Sequence, residues 1–324
     1  MHEISGENDL RLTCADAKDG VIILRCETRD ANVRLPDEIG GQPVTALGEY
    51  ALSARAPDLR GLDTFSVRVT CGGPEPVHDA RAILQVSLPR GLRRVGRYAF
   101  YDCRSLAALS LTDAVTEFSG GALVNCVSLR AVRLALREGA STCLQKLLGE
   151  HAGETEVHLD FGTQQALLLF PAYSEDMEEL PAPHIFRRHI EGAGYAYRQC
   201  FDGGILSFHQ YDSMFSRLLE MHAFEPATRV ACCRLRLPYA LSAAARDQYL
   251  ACLRTHGMPL ACDLAARGEA QTLAFLLSLG VLDPAAVGAA CNTARQHRRT
   301  EALGLLLNGT SGQTGAARAK TFDL

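Results

Sequence analysis

The stretch that decides the fold is VSLPRGLRRVGRYAFYDCRSLAAL at residues 86–109, followed at once by LSLTDAVTEFSGGALVNCVSLRAV at residues 109–132. A shift of 23 residues superimposes the apolar positions of the two segments and places Cys103 on Cys126. A period in the twenties is typical of solenoids, in which each unit buries its apolar side chains by stacking on the next. The overlay therefore predicts a stack of repeated coils.

The spacing within one unit indicates the shape of each coil. Val86 and Leu88 alternate as in a short strand, whereas the apolar positions from Leu92 onward recur at turn or helical spacing. A strand followed by a tight return is the form of a leucine-rich repeat coil. Cys103 and Cys126 are interpreted as small buried side chains that satisfy backbone groups, because no CxxC pair or histidine accompanies them.

These residues resemble the bacterial surface-antigen-like class of leucine-rich repeats, which repeats the pattern LP-x-x-(V/I)-x-x-IG-x-x-AF-x-x-C-x-x-L. A degenerate copy begins at Leu35-Pro36, and in the third copy Thr112 replaces the Pro and Ser119 the first Gly. The resemblance covers roughly residues 10–135 and implies a non-enzymatic recognition scaffold. The residues that carry it are Leu88-Pro89, Leu92, Val95-Gly96, Ala99-Phe100, Cys103 and Leu106.

A second repeat lies near the C-terminus, where residues 264–280 and 293–309 superimpose with an offset of 29. The first copy resembles an ankyrin helix pair, in which Pro259-Leu260 starts a helix and Gly268 closes the turn between helices. The second copy departs from this pattern because the overlay sets His297 at the position of Gly268. Between the copies, Asp283-Pro284 predicts a helix cap followed by Pro at the first helical position.

The predicted fold is a short α/β leucine-rich-repeat solenoid, followed by an α/β linker module and an α-helical ankyrin-like stack. Alternating segments at 10–14 and 21–26 flank Asp19-Gly20 and predict a hairpin that caps the first coil. The expected domains are residues 1–135 for the solenoid and its cap, 136–257 for the mixed module, 258–309 for the ankyrin-like helix pairs and 310–324 for a disordered tail.

Composition narrows the classes of partner and compartment. A chain of 324 residues with 47% hydrophobic content suits two or three domains, and a net charge of −4 gives no general attraction for nucleic acid. No stretch is long and apolar enough for a membrane span, and no basic-then-apolar signal opens the chain. Twelve cysteines without framework spacing predict reduced thiols and a cytoplasmic location.

The sequence favours protein binding over catalysis. Neither a phosphate-binding Gly-Lys motif nor a zinc HExxH motif occurs, so no cofactor or metal is expected; His184 and His189 are five residues apart, which sets them off a common helical face. The preferred function is a non-enzymatic scaffold for a protein partner. The candidate partner-binding residues point outward from the repeat strands: Gln85, Ser87, Ala108, Ser110 and Arg133.

The alternative is an enzyme or small-molecule sensor with its site in residues 184–215. This segment concentrates side chains that could form an acid/base or Cys-His site, although their spacing matches no known triad. The competing structural interpretation pairs Arg198 with Asp212 and places the tyrosines in a domain junction. The candidate residues of this alternative site are His189, Tyr197, Arg198, Cys200, His209 and Asp212.

Overall fold

The computed structural model describes residues 2–180 and 185–314, which form two compact units, Met1–Tyr211 and Asp212–Leu324. The first unit contains the sheets, and the second is built from helices. A mixed α/β fold, as predicted, is therefore present.

The secondary structure of the first unit is mostly short strands. In chain order they are β1 (His2–Ser5), β2 (Leu10–Ala17), β3 (Gly20–Glu27), β4 (Asn32–Arg34), β5 (Glu38–Ile39), β6 (Gln42–Leu47), β7 (Phe65–Thr70), β8 (Gln85–Ser87), β9 (Arg94–Val95), β10 (Ala108–Thr112), β11 (Glu117–Phe118), β12 (Ala131–Ala135), β13 (Thr155–Asp160), β14 (Gln165–Phe170), β15 (Ser174–Leu180), β16 (Ile185–Glu191), β17 (Phe201–Asp202) and β18 (Ile205–Leu206). The helices are α1 (Leu144–Gly149), α2 (Gly194–Tyr197) and α3 (Phe208–Ser213), within which the first unit ends.

The repeat overlay is the register of a six-stranded sheet, ordered β14-β13-β12-β10-β8-β4 and called here the repeat sheet. Val86 lies beside Leu109, and Leu109 lies beside Val132, in parallel strands. All three side chains are buried. The period predicted from sequence is thus confirmed as strand register.

The repeat sheet continues one strand beyond the predicted end of the array. Val132 pairs in parallel with Val157 on the next strand, and β14 then pairs antiparallel with β13. The chain between Val132 and Val157 is longer than the repeat period because it accommodates α1, whose Leu147 and Leu148 are buried. The expected boundary after residue 135 therefore lies within this sheet rather than between units.

A second sheet, called here the N-terminal sheet, is ordered β1-β7-β2-β3-β6-β9-β11, and β5 pairs with β6. The predicted hairpin is present as β2 and β3, which meet with Ala17 opposite Gly20. Strands β6, β9 and β11 repeat the coil register, since Leu47 lies beside Val95 and Val95 beside Phe118.

The repeated cysteines are structural, as predicted. The Cys103 thiol donates to the Leu52 carbonyl at 3.4 Å, and the Cys126 thiol donates to the Phe100 carbonyl at 3.2 Å. Burial raises the pKa of the Cys126 thiol to about 12. A protonated, buried thiol is a poor nucleophile. The role of these two cysteines is therefore structural, since each donates a hydrogen bond to a carbonyl of a preceding coil.

A tyrosine stack covers the backbone turns on another side of the coils. Tyr50 and Tyr98 adopt φ angles of +56° and +55°, and their rings stack with centroids 5.1 Å apart. Tyr101 contacts both rings edge-on. In the next coil Gly121, at φ +74°, lies under the ring of Tyr98.

We expect Gly121→Ala to lower the free energy of unfolding by about 2–3 kcal/mol, because strained backbone and a steric clash add together. A Cβ at residue 121 would overlap the ring of Tyr98 at Cε1. The matched control is Gly139→Ala, which has φ +72° but no heavy atom within 4 Å of its Cβ position. Urea unfolding measures both, and an equal loss in the two variants would contradict the role of Tyr98.

The second unit consists of helices that pack on their neighbours. They are α4 (Phe215–Glu220), α5 (Phe224–Arg236), α6 (Ala243–Arg267), α7 (Ala270–Ser278), α8 (Pro284–Gln296) and α9 (Thr300–Thr314). Helix α6 packs on α5, α7 and α8, and α9 packs on α7 and α8.

The helix starts of the second unit agree only in part with the sequence interpretation. Pro259 lies inside α6 and does not begin a helix, because buried Gly257 and Leu260 hold both sides of the proline in one packed element. The expected boundary after residue 257 falls inside the same helix. The Asp283 cap is confirmed, since its carboxylate accepts from the Ala286 amide at 2.7 Å.

The turn between paired helices recurs one residue later than the sequence overlay sets it. Gly268 has φ +78°, and the corresponding left-handed residue is Arg298, at φ +55°, not His297. The Glu269 amide donates to the Leu264 carbonyl, and the Arg299 amide donates to the Ala294 carbonyl. The overlay placed the turn one residue too early because it was set by residue identity, whereas the left-handed backbone conformation defines this turn. Of the predicted tail, residues 310–314 belong to α9 and residues 315–324 lie outside the described residues.

Candidate functional site

The five residues predicted to bind a partner lie on one face of the repeat sheet. Residues in register on neighbouring parallel strands point to the same face, opposite the buried row of Val86, Leu109 and Val132. Two outward rows cross the strands in order: Asn32, Gln85, Ala108, Ala131 and Glu156 form the first, and Arg34, Ser87, Ser110, Arg133 and His158 form the second.

Short side chains occupy the centre of this outer face, and arginines lie on strands to either side of it. Ser87 and Ser110 are half-buried, and Ala108 is buried and offers almost no surface to a partner, so the accessible central residues are the two serines. Arg34 and Arg133 rise on either side in strands three positions apart, which spans roughly 14 Å at the usual strand spacing. Arg34 is paired with Glu7 at 3.0 Å, whereas Arg133 is exposed, so the face can accept an extended polar surface beside one cation.

A hollow of about 540 Å³ continues the outer face at the β4 end. Sequence reasoning found two of the side chains that line it, Gln85 and Ser87. It did not extend the rows to Asn32 and Arg34, although the copy at Leu35-Pro36 aligns these residues with Gln85 and Ser87. It could not find Glu7, Asn8, Asp30 and Cys71, because they belong to no repeat. The lining residues that it missed are Glu7, Asn8, Asp30, Ala31, Asn32, Val33, Arg34 and Cys71.

The amide of Asn8 closes the edge of the repeat sheet at this hollow. Its Nδ2 donates to the Asn32 carbonyl and its Oδ1 accepts from the Arg34 amide, both at 2.7 Å. These are the bonds that a further strand would make. At the opposite edge, the Tyr211 hydroxyl accepts from the Leu169 amide at 3.0 Å and donates to its carbonyl at 2.6 Å. Side chains therefore cap both edges of the repeat sheet at these positions, and exposed edges are the usual sites of strand addition.

Arg198, from the alternative site, is a structural anchor and not a free cation. It is 2% exposed and donates to carbonyl oxygens at 2.6–3.0 Å, while its guanidinium lies 5.0 Å from the ring centre of Tyr173. Burial lowers the pKa of Arg198 to about 10. The accepting carbonyls belong to Leu148, His151, Gly153, Pro171 and Gly194.

The predicted pairing of Arg198 with Asp212 is wrong. Asp212 belongs to the second unit and accepts from Arg234 at 2.8 and 3.0 Å and from the Tyr249 hydroxyl at 2.7 Å. Arg234 also donates to the Tyr239 carbonyl at 3.2 Å. Both charged side chains are buried, and local spacing could not identify Arg234 as the partner because it lies on another helix.

The other members of the alternative site serve packing or lie at the surface. Tyr197 is buried against Tyr211 with ring centroids 4.8 Å apart, and the buried Cys200 thiol donates to the Ala196 carbonyl at 3.6 Å. His209 is exposed on α3, and His189 lies 3.4 Å from the Glu191 carboxylate.

Neither a metal-binding cluster nor a membrane-spanning helix is present in the described parts of the chain. Within residues 2–180 and 185–314, no cluster of three or more His, Cys, Asp or Glu side chains could hold a metal ion. His184 lies outside the described residues. In the same parts of the chain, the helices are too short or too polar to cross a membrane.

We expect the first unit to lose stability as the pH falls below about 6.5, the usual pKa of histidine. Burial, with the Arg198 charge next, lowers the pKa of His151, and burial, with the Arg25 charge next, lowers that of His78. The unfolded chain therefore takes up protons that the folded chain does not, and acid favours unfolding.

The pH effect is measured as the urea midpoint at pH 7.0 and pH 5.5. His151→Gln should reduce the difference between the two midpoints, because one of the two responsible groups is gone. His209→Gln, at an exposed position, is the matched control and should keep the full difference. A midpoint that does not fall between these pH values would refute the assignment.

The chain shows weak similarity to a leucine-rich repeat protein of known structure. No family model and no curated protein matches the chain. A crystal structure of the T. pallidum Leucine Rich Repeat protein (TpLRR) shares 22% identity and covers 38% of this chain and 68% of its own, with a TM-score of 0.21. A TM-score this low does not establish a shared fold.

Proposed function

We propose that this chain is a non-enzymatic scaffold that binds a protein partner through the outer face of the repeat sheet. The observation that carries the proposal is the in-register row of Ser87, Ser110 and Arg133 on neighbouring parallel strands. Stacked repeat units present continuous surfaces of this kind, and binding is their usual role. The face combines short central side chains, hydrogen-bonding groups and the exposed cation of Arg133.

The same proposal assigns the coils to the leucine-rich repeats that their motif resembles. Its support is the repeated strand register together with the column of Cys103 and Cys126 between coils. The pairs α6/α7 and α8/α9, joined by the matching turns at Gly268 and Arg298, support an ankyrin-like stack in the second unit. We place the protein in the cytoplasm on the spacing of its cysteines.

The chemistry of the face favours a protein over nucleic acid. The outer rows carry Glu156 as well as arginines, and the chain has a net charge of −4, whereas a nucleic-acid surface is a strongly basic patch. Ser, Gln and Asn side chains can both donate and accept, as the backbone of a partner requires. An enzyme site in residues 184–215 gains no support, since Arg198 and Asp212 are bonded to structural partners.

We expect Ser110→Tyr to weaken partner binding at least tenfold, because the large tyrosine ring would obstruct the centre of the face, where the other side chains are short. Thr116→Tyr is the matched control, since residue 116 is exposed in the same coil but outside the outer rows. Proteins captured from native lysate by the wild-type chain are quantified by mass spectrometry, and the dissociation constant of each purified candidate is then measured.

The result that supports the proposal is a partner retained by wild type and by Thr116→Tyr but lost by Ser110→Tyr. Both variants must keep the wild-type unfolding temperature for the comparison to hold. If a purified partner binds all three proteins equally, the outer face is not its binding site and the proposal fails.

A further inference from the structure

A cavity of about 470 Å³ lies on the N-terminal sheet. Its apolar lining comes from four strands, with Ile4 on β1, Val21 on β3, Ile39 on β5, and Phe65 and Val67 on β7. Ile4 and Phe65 are half-buried and give the cavity its accessible apolar surface, whereas Val21, Ile39 and Val67 are buried in the sheet. Its volume falls in the usual range of ligand-binding sites.

The rim of this cavity carries only negative charge. Its ionisable lining residues are Glu3 and Asp16, both exposed, and its remaining lining residues are Gly40 and Gln42. Within the described residues, neither carboxylate has an ion-pair partner. Two carboxylates beside apolar surface favour a ligand that joins a cation to an apolar body.

Several acidic side chains elsewhere in the first unit lie within 4 Å of an arginine, unlike Glu3 and Asp16. The pairs are Glu7 with Arg34, Asp19 with Arg93, Glu27 with Arg11, Asp37 with Arg90, and Asp113 with Arg137. Within the described residues, exposed Glu49 and Glu117 form no ion pair either, so the distinguishing feature of Glu3 and Asp16 is that they lie together beside apolar surface.

We propose that this cavity binds a basic amphipathic segment of a protein partner. An apolar side chain of the segment packs on Ile4 and Phe65, and a neighbouring lysine or arginine reaches Glu3 and Asp16. Lysine and arginine suit such a site because their aliphatic stems pack on apolar surface while the charged head stays at the rim. A side chain that ended in a carboxylate would be repelled there.

This site is separate from the outer face of the repeat sheet. The residues that line it lie on β1, β2, β3, β5, β6 and β7 or between β5 and β6, whereas the outer rows lie on β4, β8, β10, β12 and β13. The two proposals therefore stand or fall independently. Ser110→Tyr should leave binding at the cavity unchanged.

The experiment uses the full chain with methyl-labelled isoleucine and valine, titrated with acetyl-Val-Lys-Val-Lys-Val-amide. We expect its methyl signals from Ile4, Val21 and Ile39 to shift with a common dissociation constant. The double variant Glu3→Gln, Asp16→Asn should weaken binding about tenfold, because two ion pairs at a solvent-exposed rim are lost. Added salt should weaken binding to wild type and have little effect on the variant.

The matched control is Glu49→Gln, Glu117→Gln, which removes the same charge from exposed positions of the first unit outside the cavity. It should bind the peptide as wild type does. Equal weakening in both double variants would show that binding depends only on the net charge of the protein, and this would overturn the proposal. So would equal shifts of the cavity methyls with acetyl-Val-Glu-Val-Glu-Val-amide, or no shift of those methyls with the lysine peptide.

Discussion

Arg198→Met is expected to lower the free energy of unfolding of the first unit by about 4 kcal/mol. The guanidinium satisfies carbonyls from three separate segments, at residues 148–153, at Pro171 and at Gly194. Methionine fills a similar volume but donates no hydrogen bond. Each buried carbonyl left without a donor costs about 1–3 kcal/mol, partly offset because the variant buries no charge.

The loss at Arg198 is measured by urea unfolding followed by circular dichroism, since the chain has no tryptophan. Hydrogen exchange of residues 144–170 should rise in the same variant, because that segment contains most of the accepting carbonyls. Arg137→Met is the matched control; Arg137 is exposed and pairs only with Asp113 in the described contacts, so it should cost less than about 1 kcal/mol. Equal losses in the two variants would show that Arg198 is not an anchor.

Asp212→Ala is expected to destabilise the second unit by about 3–5 kcal/mol, because it leaves the buried Arg234 without its counter-charge. Arg234 is 0% exposed and Asp212 is 7% exposed. The substitution also removes the acceptor of the Tyr249 hydroxyl, which joins α6 to the pair. Hydrogen exchange of α5 and α6 should therefore rise together in this variant.

A second variant separates charge burial from lost packing at this pair. Asp212→Leu with Arg234→Met should recover most of the stability, since replacing both partners of a buried pair by apolar residues is often neutral. Asp263→Ala, which breaks an exposed pair with Arg267, is the control and should cost less than about 0.5 kcal/mol. A double variant as unstable as Asp212→Ala would contradict the assignment.

Periodic features were predictable because they are local in the chain. Val86, Leu109 and Val132 recur at one spacing, and a strand alternates its faces, so register and outward residues follow together. The same logic placed Ser87, Ser110 and Arg133 on one face. It could not find Asn8 or Asp30 in the adjoining hollow, because those residues belong to no repeat.

Features that depend on backbone geometry escaped the sequence overlays. The overlay of the helix-pair repeat followed residue identity and aligned His297 with Gly268. The residue that shares the left-handed backbone conformation of Gly268 is Arg298. Pro259 suggested a helix start, but packing on both sides carries α6 through it. In each case the neighbours in space outweighed the preference of one residue type.

The sequence by itself determined the coil register, the hairpin at Asp19-Gly20 and the buried cysteine column, because each repeats or completes a local pattern. Only the tertiary structure decided the partners of the buried charges. Arg198 donates to backbone carbonyl oxygens, which every residue has, so the sequence does not indicate which of them will be its partners. Arg234 pairs with an aspartate on another helix. Burial makes such contacts obligatory, since an unpaired polar group in the interior is costly, but folding alone brings the partner into reach.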